Sequence, residues 1–185
     1  MSDTAAAATQ STWTLDASHS NVEFSVRHLM ISSVKGHFSE VEGTVTANDA
    51  DPSGARVEVV VKTASIDTRQ EQRDAHLRSA DFFDADTFPQ MRFVGTRVER
   101  TGSDTFKLTG DLTIKDVTRP LTLDVTEEGR GKDPWGGERA GFSATGKIKR
   151  SEFGLTWNQV LEAGGVAVGD DIKISADVEL VKSAA

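Results

Sequence analysis

Four histidines, at positions 19, 28, 37 and 76, and the absence of any cysteine bound the chemistry open to this chain of 185 residues. Without thiols there is no disulfide framework, thiolate metal site, thiol nucleophile or iron–sulfur cluster. The histidines lack the close spacing that would put two imidazoles on one helical face around a zinc ion, so no metal is expected. Asp16, Ser18 and His19 supply the side-chain types of a hydrolytic triad, but close sequence neighbours rarely reach triad geometry. There is no Gly-x-Ser-x-Gly elbow and no phosphate-cradling glycine loop. No catalytic residue and no catalytic cofactor are expected, so the chain reads as something other than an enzyme.

A second group is more suggestive. Arg73, Asp74 and His76 fall on a helical stretch, and Arg27-His28 ends a strand. Joined by Asp67 at the mouth of a cavity, they could grip an anionic head group through charge-assisted hydrogen bonds. An internal salt-bridge network that pins the helix explains the same residues, and both readings stand.

The elements that must position these groups are mostly strands. Phe106, Leu108, Gly110, Leu112 and Ile114 share one face, and Lys107, Thr109, Asp111, Thr113 and Lys115 share the other. The alternation recurs through Leu121–Val125, Ala140–Ile148 and Ile172–Leu180. One dry and one wet face per strand marks an antiparallel sheet. Val22, Phe24 and Val26 alternate earlier, as do Val57, Val59 and Val61. Residues 34–47 are too long for one flat strand, and their apolar phase slips between Phe38 and Val41, which predicts a bulge or sharp coiling. Turn-rich segments at 48–54, 101–104 and 129–137 punctuate the runs. Thr68-Arg-Gln-Glu71 has capping-box spacing and opens the single predicted helix, to Ser79. About eight strands and one short helix give an all-β fold, a closed antiparallel barrel, since closure removes exposed edges. A two-layer sandwich is the main alternative.

The formal net charge of −8 argues against nucleic acid and anionic membrane surfaces. Residues 1–12 are small and polar and read as a disordered tail before a single domain over 13–185. They lack the basic start and apolar core of a secretory signal, and no apolar run reaches the ~20 residues of a membrane helix, so a cytoplasmic protein without stable membrane insertion is expected.

Inward positions mix bulky side chains with Gly95, Gly110, Ala140, Ala144, Gly146 and Ala176. An eight-stranded barrel can be filled by its side chains or can hold one ligand. The small residues either taper the interior for packing or leave space. If they leave space, the cavity is apolar, and its ligand is long and greasy.

Several ordered motifs resemble the YceI-like polyisoprenoid-binding proteins. They include Trp13–Leu29 with Ile31–Gly36, Ile66–Thr68 with Arg73–Leu77, and Asp81–Asp84 with Pro89–Phe93. Further on come Gly110–Lys115, Val117–Pro120, Ile148–Gly154, Trp157-Asn158 and Val168–Ile172. The resemblance runs from Trp13 to the C-terminus. It implies a lipocalin-like barrel holding a polyisoprenoid lipid, such as an isoprenoid quinone or polyprenyl phosphate, as well as a homodimer and no established catalytic residues. Two features depart from the family pattern. Asp116 stands where relatives tend to place Gly, and the secretory signal many periplasmic relatives carry is not recognisable.

A lipid carrier, storage or sequestering protein is therefore the leading expectation. Phe24, Val26, Phe93, Phe106, Leu108, Leu112, Leu123, Phe142, Ala144, Ile148 and Ile174 would line the tunnel, with Trp157 at one end. Arg27, His28, Asp67, Arg73, Asp74 and His76 would ring its mouth. The alternatives are an isoprenoid-modifying enzyme using His28 or His76 for proton transfer, and a filled barrel acting as an interaction module.

Overall fold

A computed structural model describes residues 9–184. Its strands are β1 (Gln10–Leu15), β2 (Asn21–His28), β3 (Ser32–Phe38), β4 (Val41–Asn48), β5 (Arg56–Lys62) and β6 (Ile66–Asp67). After helix α1 (Glu71–Arg78) come β7 (Gln90–Arg100), β8 (Thr105–Ile114), β9 (Val117–Lys132), β10 (Glu138–Lys149) and β11 (Val168–Lys182). Every ladder is antiparallel, and β1 pairs with β11 through Trp13↔Lys182 and Leu15↔Leu180, which closes the sheet on itself.

The eleven segments form eight strand lines. β1 pairs with the end of β11 and β2 with its beginning, so the two are successive pieces of one line. β3 and β4 form the next, facing β2 and β1 respectively. β5 and β6 make a third, since Val41 faces Val61 and Phe38 faces Ile66. The expected irregularity between Phe38 and Val41 is a break at Ser39-Glu40, and it keeps both apolar residues inward. This break sits beside two others, the 3-10 turns Ala17–His19 and Thr63–Ser65. Backbone bonds stitch the breaks laterally, from Ser39 N to Ser65 O (3.2 Å) and from Lys62 N to Glu40 O (3.0 Å). A seam thus crosses three neighbouring lines. Below it, among the described residues, the flap β2–β3–β6 is laddered to the rest of the barrel through β11 alone, and no strand pairs with the outer side of β6.

The N-terminal expectation needs correction. Gln10–Thr12 belong to β1, where they pair with Thr46–Asn48, so the ordered fold begins before Trp13. Ser11 is buried, because its hydroxyl donates to Asp49 (2.5 Å) and accepts from the Trp13 indole (3.3 Å). The expected tail over residues 1–8 lies outside the described residues. No described helix is long and apolar enough to cross a membrane.

The helix is shorter than its capping box predicts. Gln70 caps it, its side-chain carbonyl accepting from Arg73 N (2.5 Å). Thr68 is engaged elsewhere, its N–H and hydroxyl both donating to the buried carboxylate of Asp74 (2.9 and 2.5 Å). At the other departure from the family pattern, a two-residue hairpin turn joins β8 to β9. Lys115, not Asp116, takes the positive φ there (57°), so the turn closes without Gly at 116.

Candidate binding site: an apolar tunnel

The inward faces enclose a cavity of about 460 Å³ with a predominantly apolar wall. Phe24, Val26, Phe93, Phe106, Leu108, Leu112, Leu123, Phe142, Ala144, Ile148 and Ile174 all lie on that wall. The expected small residues divide into two kinds. Ala140, Ala144 and Ala176 line the cavity and leave it room. Gly95, Gly110 and Gly146 do not, because neighbours cover them: Leu108 lies over Gly95 and Leu123 over Gly146. At Gly110 the Val94 carbonyl would stand 2.2 Å from an added Cβ, where the β7–β8 register shifts. These glycines allow close approach of neighbouring chain, and only the alanines create space.

At the end carrying α1 the tunnel is blind. Leu77, Phe82, Phe83, Ile66 and Leu155 form its floor beside Arg150. Arg150 is only 6% exposed, and its guanidinium donates to the carbonyls of Leu155 (2.7 Å), Gly169 (2.8 Å), Trp157 (2.9 Å) and Val168 (3.2 Å). Burial lowers its pKa, opposed by the charge of Asp170. Its effect is to clamp the long 154–167 connection against the barrel end.

At the opposite end the wall reaches exposed side chains at Asp49, Arg100 and Arg130. This is the mouth, and its charged residues are not the expected ones. Arg27, His28, Asp67, Arg73, Asp74 and His76 all sit toward the blind end, and none lines the cavity. The side chains of Arg27, Asp67, Arg73, Asp74 and His76 are engaged in local structure. Arg73 donates to the hydroxyl and carbonyl of Thr68 (2.7 and 2.8 Å), and Asp67 accepts from Arg69 N (2.7 Å). Arg27 holds the Met30 carbonyl across a turn (2.9 Å). His76 meets Asp81 (2.8 Å) and stacks edge-on against Trp157 and Phe82. The salt-bridge network expected to pin the helix is met only by His76 with Asp81; Arg73 and Asp74 instead bind Thr68 through hydrogen bonds. Trp157 packs behind Phe82 and is also absent from the wall.

The missed mouth residues carry a signal in the sequence. Arg100 continues the inward phase of Val98, and Glu127 continues that of Val125. Arg130 turns inward after the β9–β10 register shift opposite Gly141/Phe142. The Arg100 guanidinium lies 4.8 Å from the Phe106 ring centre, and that of Arg130 lies 5.4 Å from Trp13. Arg130 pairs with Glu127, while Lys182 bonds Asp49 (2.8 Å). The Lys182 bond, followed by the Ser11 bond, lowers the Asp49 pKa.

Asp16, Ser18 and His19 do come together, on the outer surface. Ser18 Oγ (3.1 Å) and Asp16 Oδ2 (2.8 Å) both approach the same His19 nitrogen, Nδ1. A triad needs the two ring nitrogens to face different partners, so this is not one. Asp16, His19 and Glu179 cluster closely enough to resemble a metal site, but the Arg139 guanidinium already bonds Asp16 (2.9 Å), Glu179 (2.6 Å) and Asp133 (3.0 Å). Hydrogen bonds from Ser18, then Arg139 and His19, hold the Asp16 carboxyl well below its ordinary value.

Fold and site together define a hollow, eight-stranded, lipocalin-like barrel, open at one end and floored at the other. The chain belongs to the YceI-like domain family, whose model matches residues 13–180. It is 44% identical over 141 residues to Protein YceI of Salmonella newport (strain SL254), covering 76% of this chain and 73% of that one. The crystal structure of the Campylobacter jejuni YCEI protein superposes with a TM-score of 0.73 at 35% identity, covering 85% and 90% of the two chains. A polyisoprenoid binding domain from Saccharophagus degradans shares the fold at 15% identity, with a TM-score of 0.67 and coverage of 91% and 97%.

Proposed function

We propose that this protein binds a polyisoprenoid lipid, an isoprenoid quinone or polyprenyl phosphate, tail-first in its tunnel, as a carrier, store or sequestering protein. The apolar cavity carries this reading. A filled interaction module would have no such space. Support also comes from the family and from the polyisoprenoid-binding relative of the same fold. A cavity of 150 Å³ accepts benzene, so one of 460 Å³ accommodates on the order of eighteen carbons, or three to four isoprene units. At ~0.8 kcal/mol per buried CH₂, each unit contributes roughly 3–4 kcal/mol before ordering and association costs. A longer chain would project from the mouth.

Catalysis is not part of this proposal. The enzyme alternative relied on His28 or His76, and no histidine among the described residues lines the tunnel. A homodimer belongs to the same reading on the family resemblance; sedimentation velocity showing only monomer would remove it. Organic extraction of protein purified from its native host, followed by mass spectrometry, should release a stoichiometric isoprenoid. Lipid-free extracts, together with no thermal shift on adding geranylgeraniol, would refute the binding reading.

A further inference from the structure

The mouth bears on which lipid the tunnel takes. Arg100 uses one of its five donors on the Ser103 carbonyl (2.7 Å). Among the described residues no carboxylate lies within 4 Å of it. Arg130 commits Nε to Glu127, and neither of its terminal nitrogens has a hydrogen-bond partner among the described residues. Both guanidiniums rest over aromatic rings of the tunnel wall, which supports a cation without neutralising it. The carboxylates that line the mouth are Glu127, already paired with Arg130, and Asp49, already paired with Lys182. The lysine is shared with Glu138 (3.4 Å). An acidic protein of net charge −8 thus keeps an arginine with no carboxylate in direct reach, among the described residues, where a tail-first lipid would leave its head.

We infer that the tunnel selects isoprenoids with an anionic head, a phosphate or diphosphate, and that Arg100 is the anchoring cation, with Arg130 beside it. This inference rests on the lipid-binding reading and goes beyond it, since a neutral quinone or alcohol would leave the Arg100 charge unmatched. Guanidinium donors fit phosphate oxygens in pairs, and a hydrogen bond to a charged group is worth about tenfold or more in affinity. Screening by salt should narrow that preference.

The test compares geranylgeranyl phosphate with geranylgeraniol by titration calorimetry on the wild-type protein and on Arg100→Gln, which keeps an exposed polar side chain. The wild type should bind the phosphate at least tenfold more tightly than the alcohol, and in the variant the ratio of the two affinities should fall most of the way to one. Equal binding of both lipids by the wild type would overturn the head-group inference and leave lipid binding intact. A preference that survives Arg100→Gln would overturn Arg100 as the anchor. Binding of neither lipid would refute the lipid reading itself. Millimolar inorganic phosphate should weaken the phosphate lipid without affecting the alcohol, and failure to compete would also count against an anion site at the mouth.

Discussion

Replacing Ala144 with Phe separates a tunnel from a packed core most directly. Ala144 lies on β10 opposite Ala176 of β11 and Val125 of β9, and all three line the cavity. The added ring is the size of benzene and would fill about one third of the 460 Å³. Burying it should contribute about 1.5–3 kcal/mol, against roughly 1 kcal/mol for ordering the side chain. The ligand-free variant should therefore melt no lower than the ligand-free wild type, and up to several degrees higher at about 2–4 °C per kcal/mol. In a filled interior the same ring would overpack at a cost of about 1–3 kcal/mol. The ring also takes the place of about one isoprene unit. Even half of that unit's ~3–4 kcal/mol would weaken binding of geranylgeraniol by more than tenfold. Differential scanning fluorimetry of the lipid-free proteins and calorimetric titration with the alcohol give both numbers. A ligand-free melting point lowered by more than about 4 °C would refute the hollow interior. Unchanged affinity would show that the chain does not pass Ala144.

Four further outcomes are expected. Gly110→Ala brings a Cβ onto the Val94 carbonyl, so its unfolding free energy from urea titration should fall by an amount at or above the upper end of the ~1–3 kcal/mol range for overpacking. Asp74→Ala strands the Thr68 N–H and hydroxyl, and chemical denaturation should show a loss of about 2–3 kcal/mol. The Asp16–His19 pair gives a pH signature. The depressed Asp16 pKa adds stability that is present above 3.8 and lost as pH falls through its folded value. The raised His19 pKa, caused first by the Asp16 hydrogen bond, adds stability that is full below 6.5 and lost as pH rises through its folded value. Melting curves of Asp16→Asn should lack the first loss and those of His19→Gln the second. Lastly, amides of β2, β3 and β6 should exchange faster than those of β8 and β9, because the flap below the seam is laddered to the barrel on one side only. Equal protection, read by hydrogen exchange, would mean that the seam does not divide the barrel.

The tunnel wall was legible because each residue of β8–β11 faces either water or the interior, and alternation records that choice directly. The seam was half legible: a slipped phase at 38–41 marks a break, but nothing local shows that two other breaks lie beside it. The mouth was misplaced for a physical reason. Arg73, Asp74 and His76 form a conspicuous charged cluster, yet Asp74 serves to fix the Thr68 backbone and His76 is braced by Asp81 and Trp157. The residues at the mouth are single charges ending apolar strands, and Arg130 reaches it through a register shift that alternation cannot register. The glycines were undecidable for a similar reason, since a missing side chain marks either empty space or a neighbour's close approach.

Closure of the wall also bears on how the chain must fold. The ladder that seals it joins Trp13 to Lys182, so the second edge of the first strand cannot be matched until the last strand is complete. Contacts so distant in sequence carry a large loop-closure cost and belong to slow-folding topologies. Until β11 arrives, β1 and β10 are open edges of a sheet whose concave face is apolar, and such an intermediate is prone to intermolecular pairing. β11 then completes ladders with β10, β1 and β2. The final strand is thus both the latch of the barrel and the step that ends its exposure to aggregation.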